Sequence, residues 1–401
     1  MVNFSRHQRP AALRRFAAQK GMMNMRKLLC LLLAVCVLCG AMLLPGCGSG
    51  RTGEAKTVKN CAVIHEPEFG GVYITKTIDE FNDLGYHYGD SVNIRFSNGY
   101  ELLNQPYYSG YYTENGESLL VAYPGDDYIK ACINNGEDLW EVAGLSEGDT
   151  AEIELSAYAV YLDIQMARDI HYTDVNEDYE SDVVFSNFRS VSVTGIAPHC
   201  LYRGASPCDN QHNRAEYVNT LIDVAGVKCI LDLADDDAKI QGYLENADLK
   251  VPAFRDLYAA GKVIPLALNT NFTSEGFRAK LADGLIQMSQ QPGPYYVHCT
   301  EGKDRTGFVC LLLEALCGAS YDEIRKDYMT TYDNYYGITE QSDPARYKTI
   351  VDHVLNPMVN LFAGEKALET ADLKSGAEQY LTDCGMTADQ IEALRAALSE
   401  R

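Results

Sequence analysis

The segment Val297-His298-Cys299-Thr300-Glu301-Gly302-Lys303-Asp304-Arg305-Thr306-Gly307 places a soft nucleophile, a permanent cation and a glycine-bearing loop within a few residues of one another. An apolar run from Pro294 to His298 precedes it, and a run with helical spacing from Thr306 to Leu316 follows. Cys299 therefore stands at the end of a buried strand and Arg305 at the opening of a helix. The loop between them turns successive N–H groups inward, and the helix N-terminus adds positive potential at the same point. Both effects favour a thiolate at Cys299. Arg305 carries a planar fork that can chelate two phosphate oxygens and follow them through a trigonal-bipyramidal transition state. Thr306 is placed to hydrogen-bond the sulfur when it becomes a leaving group, and His298 to orient the loop rather than act as a base. The chemistry implied is displacement at phosphorus through a covalent cysteinyl intermediate.

The spacing H-C-x5-R-T resembles that of the cysteine-dependent phosphatases of the protein tyrosine phosphatase superfamily. The fuller form, H-C-x-x-G-K-D-R-T-G, resembles the bacterial and fungal tyrosine/serine branch, some members of which also hydrolyse phosphoinositides. Leu201-Tyr202-Arg203-Gly204-Ala205-Ser206-Pro207, Asp327-Tyr328-Met329 with Tyr332-Asp333-Asn334, and the capped last helix with Ile391-Glu392-Ala393-Leu394-Arg395 extend the resemblance over 180–401. It implies an α/β phosphatase domain, a mostly parallel sheet flanked by helices. It also implies hydrolysis of phosphotyrosine, with phosphoserine and phosphothreonine as further substrates, and no cofactor. The alternatives are a phosphoinositide or inositol-polyphosphate phosphatase and a non-catalytic phospho-ligand binding protein. Partners are then a phosphorylated protein or a phosphorylated inositol or lipid.

In that branch an Asp inside the loop is the general acid, a role that fits Asp304; Asp232 or the acidic run Asp235-Asp236-Asp237 is the alternative. The run otherwise reads as a solvated loop. The branch has Asp-Leu-Arg where this chain has Asp232-Leu233-Ala234, and the stretch 265–272 offers Asn269 and Asn271 but no carboxylate. His298, Thr300, Glu301, Gly302 and Lys303 complete the substrate-binding loop. Lys303 either serves a second phosphate or faces solvent, and Arg203 either adds to the site or pairs with an acid. No CxxC or HExxH spacing occurs, so no metal is expected.

Positioning such a loop takes a domain, and the chain has room for two in its 401 residues. From about 180 onward strand-like and helix-like runs alternate, among them Val227 to Leu233, Phe277 to Ile286 and a Thr387–Gln390 capping box ahead of Ile391, Leu394 and Leu398. Residues 58–170 differ. Short runs rich in Val, Ile and Tyr, such as Ser91 to Phe96 and Ala151 to Leu155, are separated by turn signals, which predicts a smaller all-β accessory domain, a barrel or sandwich. The stretch from Phe69 through Gly148-Asp149-Thr150 resembles the C-terminal β-barrel of the S-adenosylmethionine hydroxide adenosyltransferases, in shape and not in activity. The aromatic cluster Tyr107, Tyr108, Tyr111 and Tyr112 reads as packing of a β-surface.

Residues 1–47 read as an export signal: Arg26-Lys27, an apolar run from Leu28 to Leu44, then Leu44-Pro45-Gly46-Cys47. The end resembles a bacterial lipoprotein signal, which implies lipidation at Cys47, a short linker over 48–57 and a location on the cell membrane, facing the extracytoplasmic side. The 34 basic and 56 acidic residues give −22. Seven of the basic residues and none of the acids lie before residue 47, so the body is more acidic still. Such a surface excludes a nucleic-acid partner. Nine cysteines follow Cys47, with Cys61–Cys132 and Cys200–Cys208 as disulfide candidates.

Overall fold

The computed structural model describes residues 55–364 and 368–399. The expected signal, Cys47 and most of the linker lie outside the described residues. From Ala55 onward the chain forms one compact unit.

Its first part is a closed barrel of seven strands, β1 (Val58–Glu66), β2 (Gly71–Ile74), β3 (Ser91–Phe96), β4 (Glu101–Tyr108), β5 (Ser118–Val121), β6 (Ile129–Ile133) and β7 (Thr150–Ala157), in the order β1-β2-β6-β5-β4-β3-β7. Closure removes the exposed edges that an open sheet of this length would carry. Val92, Ile94, Ile129, Ala131 and Ile153 point into one core, at the alternating positions that a strand dictates. In β5, Leu119, Leu120 and Val121 are all buried. Leu120 faces the barrel core, while Leu119 and Val121 pack under Tyr112, Tyr161 and Ile164 on the outside. The aromatic cluster is packing in part: Tyr107 and Tyr108 are buried, Tyr112 packs over Tyr108, and Tyr111 is exposed, while the Tyr107 hydroxyl donates to Asn82 at 2.7 Å.

A helix after the barrel, α1 (Leu162–Arg168), is followed by a second sheet built from β8 (Arg189–Ser190), β9 (Leu201–Gly204), β10 (Cys229–Asp232), β11 (Val263–Pro265) and β12 (Tyr295–His298), ordered β11-β10-β12-β9-β8. It is a mixed sheet: β11, β10, β12 and β9 pair in parallel, and β8 closes the edge antiparallel. Both faces are covered. Cys229, Leu231 and Val297 face one core, Ile230 and Tyr296 the other, which is why these strands read as unbroken apolar runs. The helices used below are α2 (Asp237–Glu245), α3 (Glu275–Ser289), α4 (Asp304–Cys317), α5 (Tyr321–Tyr336), α6 (Pro344–Ile350) and α7 (Ala388–Ser399). Every residue from Thr306 to Leu316 of α4 is buried, so this helix is the axis of the larger core. Thr387 and Gln390 cap α7 reciprocally, and Ile391, Leu394 and Leu398 are buried as the pattern predicts.

The acidic run is only partly solvated. Asp236 is exposed and caps α2 by accepting from the Lys239 amide at 2.9 Å, but Asp235 is buried. The nine cysteines after Cys47 are all free, so neither candidate disulfide forms. Among the described residues no helix is long and apolar enough to cross a membrane.

Candidate active site

Three parallel strands end level with one another, since His298 of β12 pairs with Asp232 of β10 and with Gly204 of β9. The crevice beyond such ends is where α/β sheets bind ligands, and Cys299 follows His298 directly into it. Its side chain lies at the floor of the loop, 3% exposed.

The loop owes its shape to what holds its carbonyls. That of Thr300 accepts from the Ser206 amide at 3.0 Å, that of Glu301 from the Tyr335 hydroxyl at 2.7 Å, and that of Gly302 from Asn187 Nδ2 and Arg203 Nη2, both at 3.3 Å. With the oxygens held from outside, the N–H groups between them face the interior and form an anion-binding nest. Gly302 has φ +73°, and a Cβ there would sit 2.3 Å from the backbone carbonyl of Gly204. Only glycine fits this close approach of the loop to β9.

Arg305, in the first turn of α4, folds back across the loop. Its Nη2 donates to Thr300 Oγ1 at 3.3 Å and its Nη1 to the Leu268 carbonyl at 3.1 Å. The Asn269–Asn271 stretch therefore does border the site, and Asn271 Nδ2 in turn donates to the carbonyl of Asn135 in the barrel at 3.3 Å. Thr306 is fully buried, and its hydroxyl has no hydrogen-bond partner among the described residues. The expected bond to the Cys299 sulfur is not formed in this structure.

Lys303 does not face open solvent. Its Nζ lies 3.2 Å from Glu301 Oε2, 3.8 Å from Asp304 Oδ2 and 3.5 Å from the Tyr336 hydroxyl. Burial opposes its charge, but Asp304 and Glu301 outweigh burial and hold the ammonium well above its ordinary value. Glu301 is likewise kept charged against burial, by Lys303 and by the hydroxyl of Tyr172, which donates to it. Asp304 is the exposed carboxylate of the group, its side chain 42% accessible at the rim.

Of its two readings, Arg203 takes the second: it pairs with an acid and supports the loop rather than adding to the substrate contacts. It is buried beneath the loop, where Nη1 meets Asp327 Oδ2 at 2.6 Å and Nη2 meets the Gly302 carbonyl. Arg189 approaches the same carboxylate from the other side at 2.9 Å. Burial works against the charge of Asp327, yet the two guanidinium groups outweigh it and hold the carboxyl far below its usual range.

Asp232 and His298 lie behind the loop and are both fully buried. Asp232 Oδ1 accepts from the amides of Ala234 and Asp235 at 2.9 and 3.1 Å. Burial pushes its carboxyl up and pushes His298 down to about 4, so the imidazole is neutral. Its Nδ1 lies 3.3 Å from the carbonyl of Cys299, an orienting contact.

Sequence reasoning missed Asn187, Tyr172 and Tyr335 and gave Asp327 no role. Asp327 and Tyr335 lie on α5, and no motif marks Asn187 or Tyr172, which come from the stretch after α1. Tyr172, Asn187 and Tyr335 bind Glu301 or Gly302 directly, and Asp327 reaches Gly302 through Arg203.

The model of the tyrosine phosphatase family matches residues 185–400. A tyrosine-protein phosphatase of Nostoc commune is 30% identical over 126 residues, 28% of this chain and 41% of that protein. The chain thus spans less than half the length of this curated relative. Among solved structures, the core catalytic domain of the PP-IP phosphatase SIW14 from S. cerevisiae, in complex with citrate, is 19% identical, covering 43% of this chain and 94% of that one with a TM-score of 0.23. P. aeruginosa TpbA is 15% identical, covering 58% and 98% with a TM-score of 0.23.

Proposed function

The chain belongs to the tyrosine phosphatase family, and from that premise we propose that it hydrolyses phosphotyrosine monoesters, with phosphoserine and phosphothreonine as further substrates, through a cysteinyl-phosphate intermediate. The observation that carries this reading is the loop itself. Its carbonyls are held outward, Cys299 lies at its floor and Arg305 folds back over its second residue. A phosphate seated on the inward N–H groups meets the Cys299 sulfur from below. Arg305 exchanges Thr300 for two of the phosphate oxygens.

The Cys299 thiolate attacks phosphorus and the P–O ester bond breaks, with a proton passing from Asp304 to the departing oxygen. Water then attacks phosphorus, Asp304 takes its proton, and the thiolate leaves with inorganic phosphate as product. Asp304 is preferred to Asp232 because a leaving group can reach the rim. Asp232 is enclosed behind the loop, and one of its oxygens is occupied by two amides.

Hydrolysis of phosphoinositides or inositol polyphosphates would draw on Lys303 for a second phosphate. That ammonium already lies 3.2 Å from Glu301 and 3.8 Å from Asp304, which leaves it less free for a second phosphate and favours a monoester. The leader adds to the proposal a lipid tether at Cys47 and an extracytoplasmic location.

The test is turnover by the full chain of phosphotyrosine peptides, phosphoserine peptides, phosphoinositides and inositol hexakisphosphate, with Cys299→Ser as control. Binding without turnover on any of them would favour a phospho-ligand binding protein, and activity surviving in Cys299→Ser would overturn the cysteinyl mechanism. Asp304→Asn is expected to slow poor leaving groups by about 10²-fold or more and good ones far less. Equal losses on both would move the acid elsewhere.

A further inference from the structure

We propose a metal site behind the phosphate loop, in which Cys208, Asp232 and Asp235 hold a divalent cation of the zinc class and His298 stands beside Asp232. The Cys208 sulfur and one oxygen each of Asp232 and Asp235 lie within 4.8 Å of one another. His298 Nε2 stands 3.7 Å from Asp232 Oδ2. Cys208, Asp232 and His298 are fully buried and Asp235 is 3% exposed.

The hydrogen bonds to the carboxylates and the imidazole engage their outer atoms, while the Cys208 sulfur lies 3.5 Å from the Ser206 hydroxyl. Asp232 Oδ1 accepts two amides, and Asp235 Oδ1 accepts from the Tyr243 hydroxyl at 3.3 Å. His298 Nδ1 faces the Cys299 carbonyl, an acceptor, so the ring proton belongs on Nδ1 and the Nε2 lone pair points at Asp232. What remains is Asp232 Oδ2, Asp235 Oδ2 and His298 Nε2, all buried and all without a hydrogen-bond partner among the described residues. Lone pairs that face one another in a dry interior repel unless a cation or a proton lies between them.

The geometry suits a cation. The three donor atoms lie within 4.8 Å of one another, so a small contraction brings each to the roughly 2.0–2.3 Å that zinc takes. One thiolate and two carboxylates form a donor set that zinc accepts, with water completing the tetrahedron. Binding releases protons to solvent: Cys208 loses its thiol hydrogen as the sulfur–metal bond forms, and the ion displaces the proton that the two carboxylates would otherwise share. The ion would tie together the end of β10 and the turn after β9, two of the elements that carry the loop, without touching the phosphate.

The experiment uses the full chain carrying Cys299→Ser, so that the nucleophile cannot bind metal itself. The protein is stripped with chelator under reducing conditions and reloaded with Zn²⁺ or Co²⁺. Expected are about one equivalent of bound metal, a thiolate-to-cobalt charge-transfer band and a raised melting temperature. Cys208→Ser should abolish the band, and Asp235→Asn, which keeps side-chain volume, should weaken affinity about tenfold or more. A folded chain that takes up no metal, or whose band persists in Cys208→Ser, overturns the site and leaves a proton or water among the carboxylates. Such a failure would not touch the phosphatase reading, which stands on turnover and its loss in Cys299→Ser.

Discussion

Asp327→Asn tests whether the phosphate loop rests on a buried ion triad. The substitution keeps shape and removes the one carboxylate that Arg189 and Arg203 share, at 2.9 and 2.6 Å. Side-chain exposures of 13% for Arg189, 1% for Arg203 and 9% for Asp327 leave little water to screen the loss. Glu314, nearby, is pushed well above its ordinary value by burial and then by the charge of Asp327, so ionising it in place of Asp327 still carries the cost of burial. Breaking a buried pair on one side costs about 3–5 kcal/mol, a large part of the roughly 5–15 kcal/mol that holds a domain folded. At about 2–4 °C per kcal/mol, the melting temperature should fall by about 6–20 °C. Turnover should fall as well, by about tenfold to hundredfold, because Arg203 also holds the Gly302 carbonyl and small displacements of a reacting group are costly. The folded carboxyl is held far below its ordinary value, so its contribution is present above the unfolded value of about 3.9 and is lost as pH falls through the folded one. The gap between wild type and variant should therefore be constant from neutral pH to about pH 4 and narrow below it. Thermal melts across that range, with turnover of a phosphotyrosine peptide, measure both effects. A variant that melts within about 2 °C of wild type at pH 7 would refute the reasoning.

Gly302→Ala should cost activity more than stability: the added methyl meets the Gly204 backbone at 2.3 Å with φ at +73°, so the loop must shift, and kcat/KM should fall about 10²-fold with folded chain retained in circular dichroism. Glu323 is held down to about 2 by the amide and hydroxyl of Ser320 and then by Thr194, so its contribution is present above its ordinary value of 4.5 and lost as pH falls toward about 2. Glu323→Gln should flatten the stability profile over that window, and an unchanged acid limb in pH-dependent melts would contradict this. Cys47→Ala should move the protein from the membrane fraction to the soluble one, as read by fractionation and by loss of metabolic lipid label.

Most of the catalytic loop was legible because its chemistry is contiguous. Cys299, Arg305 and Asp304 lie within one strand-loop-helix unit, with a short apolar run ahead of the loop and a longer one after it. The barrel was legible for the same reason in β3 and β7, where one face is buried and the other is not. It was harder in β5, where Leu119 and Val121 are covered from outside by Tyr112, Tyr161 and Ile164 and the alternation is lost. Arg203, on β9, was ambiguous because its partner lies 124 positions away on α5.

The sequence by itself determined the reactive constellation, the glycine that lets the loop pass close to β9, the capped last helix and the division into an all-β part and an α/β part. These are local: each depends on residues a few positions apart whose backbone geometry follows from their own chemistry. Tertiary structure decided the rest. It paired Lys303 with Glu301 and Asp304, turned Arg203 from the substrate to Asp327, and buried Asp235 while leaving Asp236 at the surface. It also gathered Cys208, Asp232 and Asp235 near the strand ends, with His298 beside Asp232, a cluster no ligand spacing announces. The physical reason is that the charge state and role of a side chain are set by what surrounds it in space, and a parallel sheet brings together strand ends that are far apart along the chain.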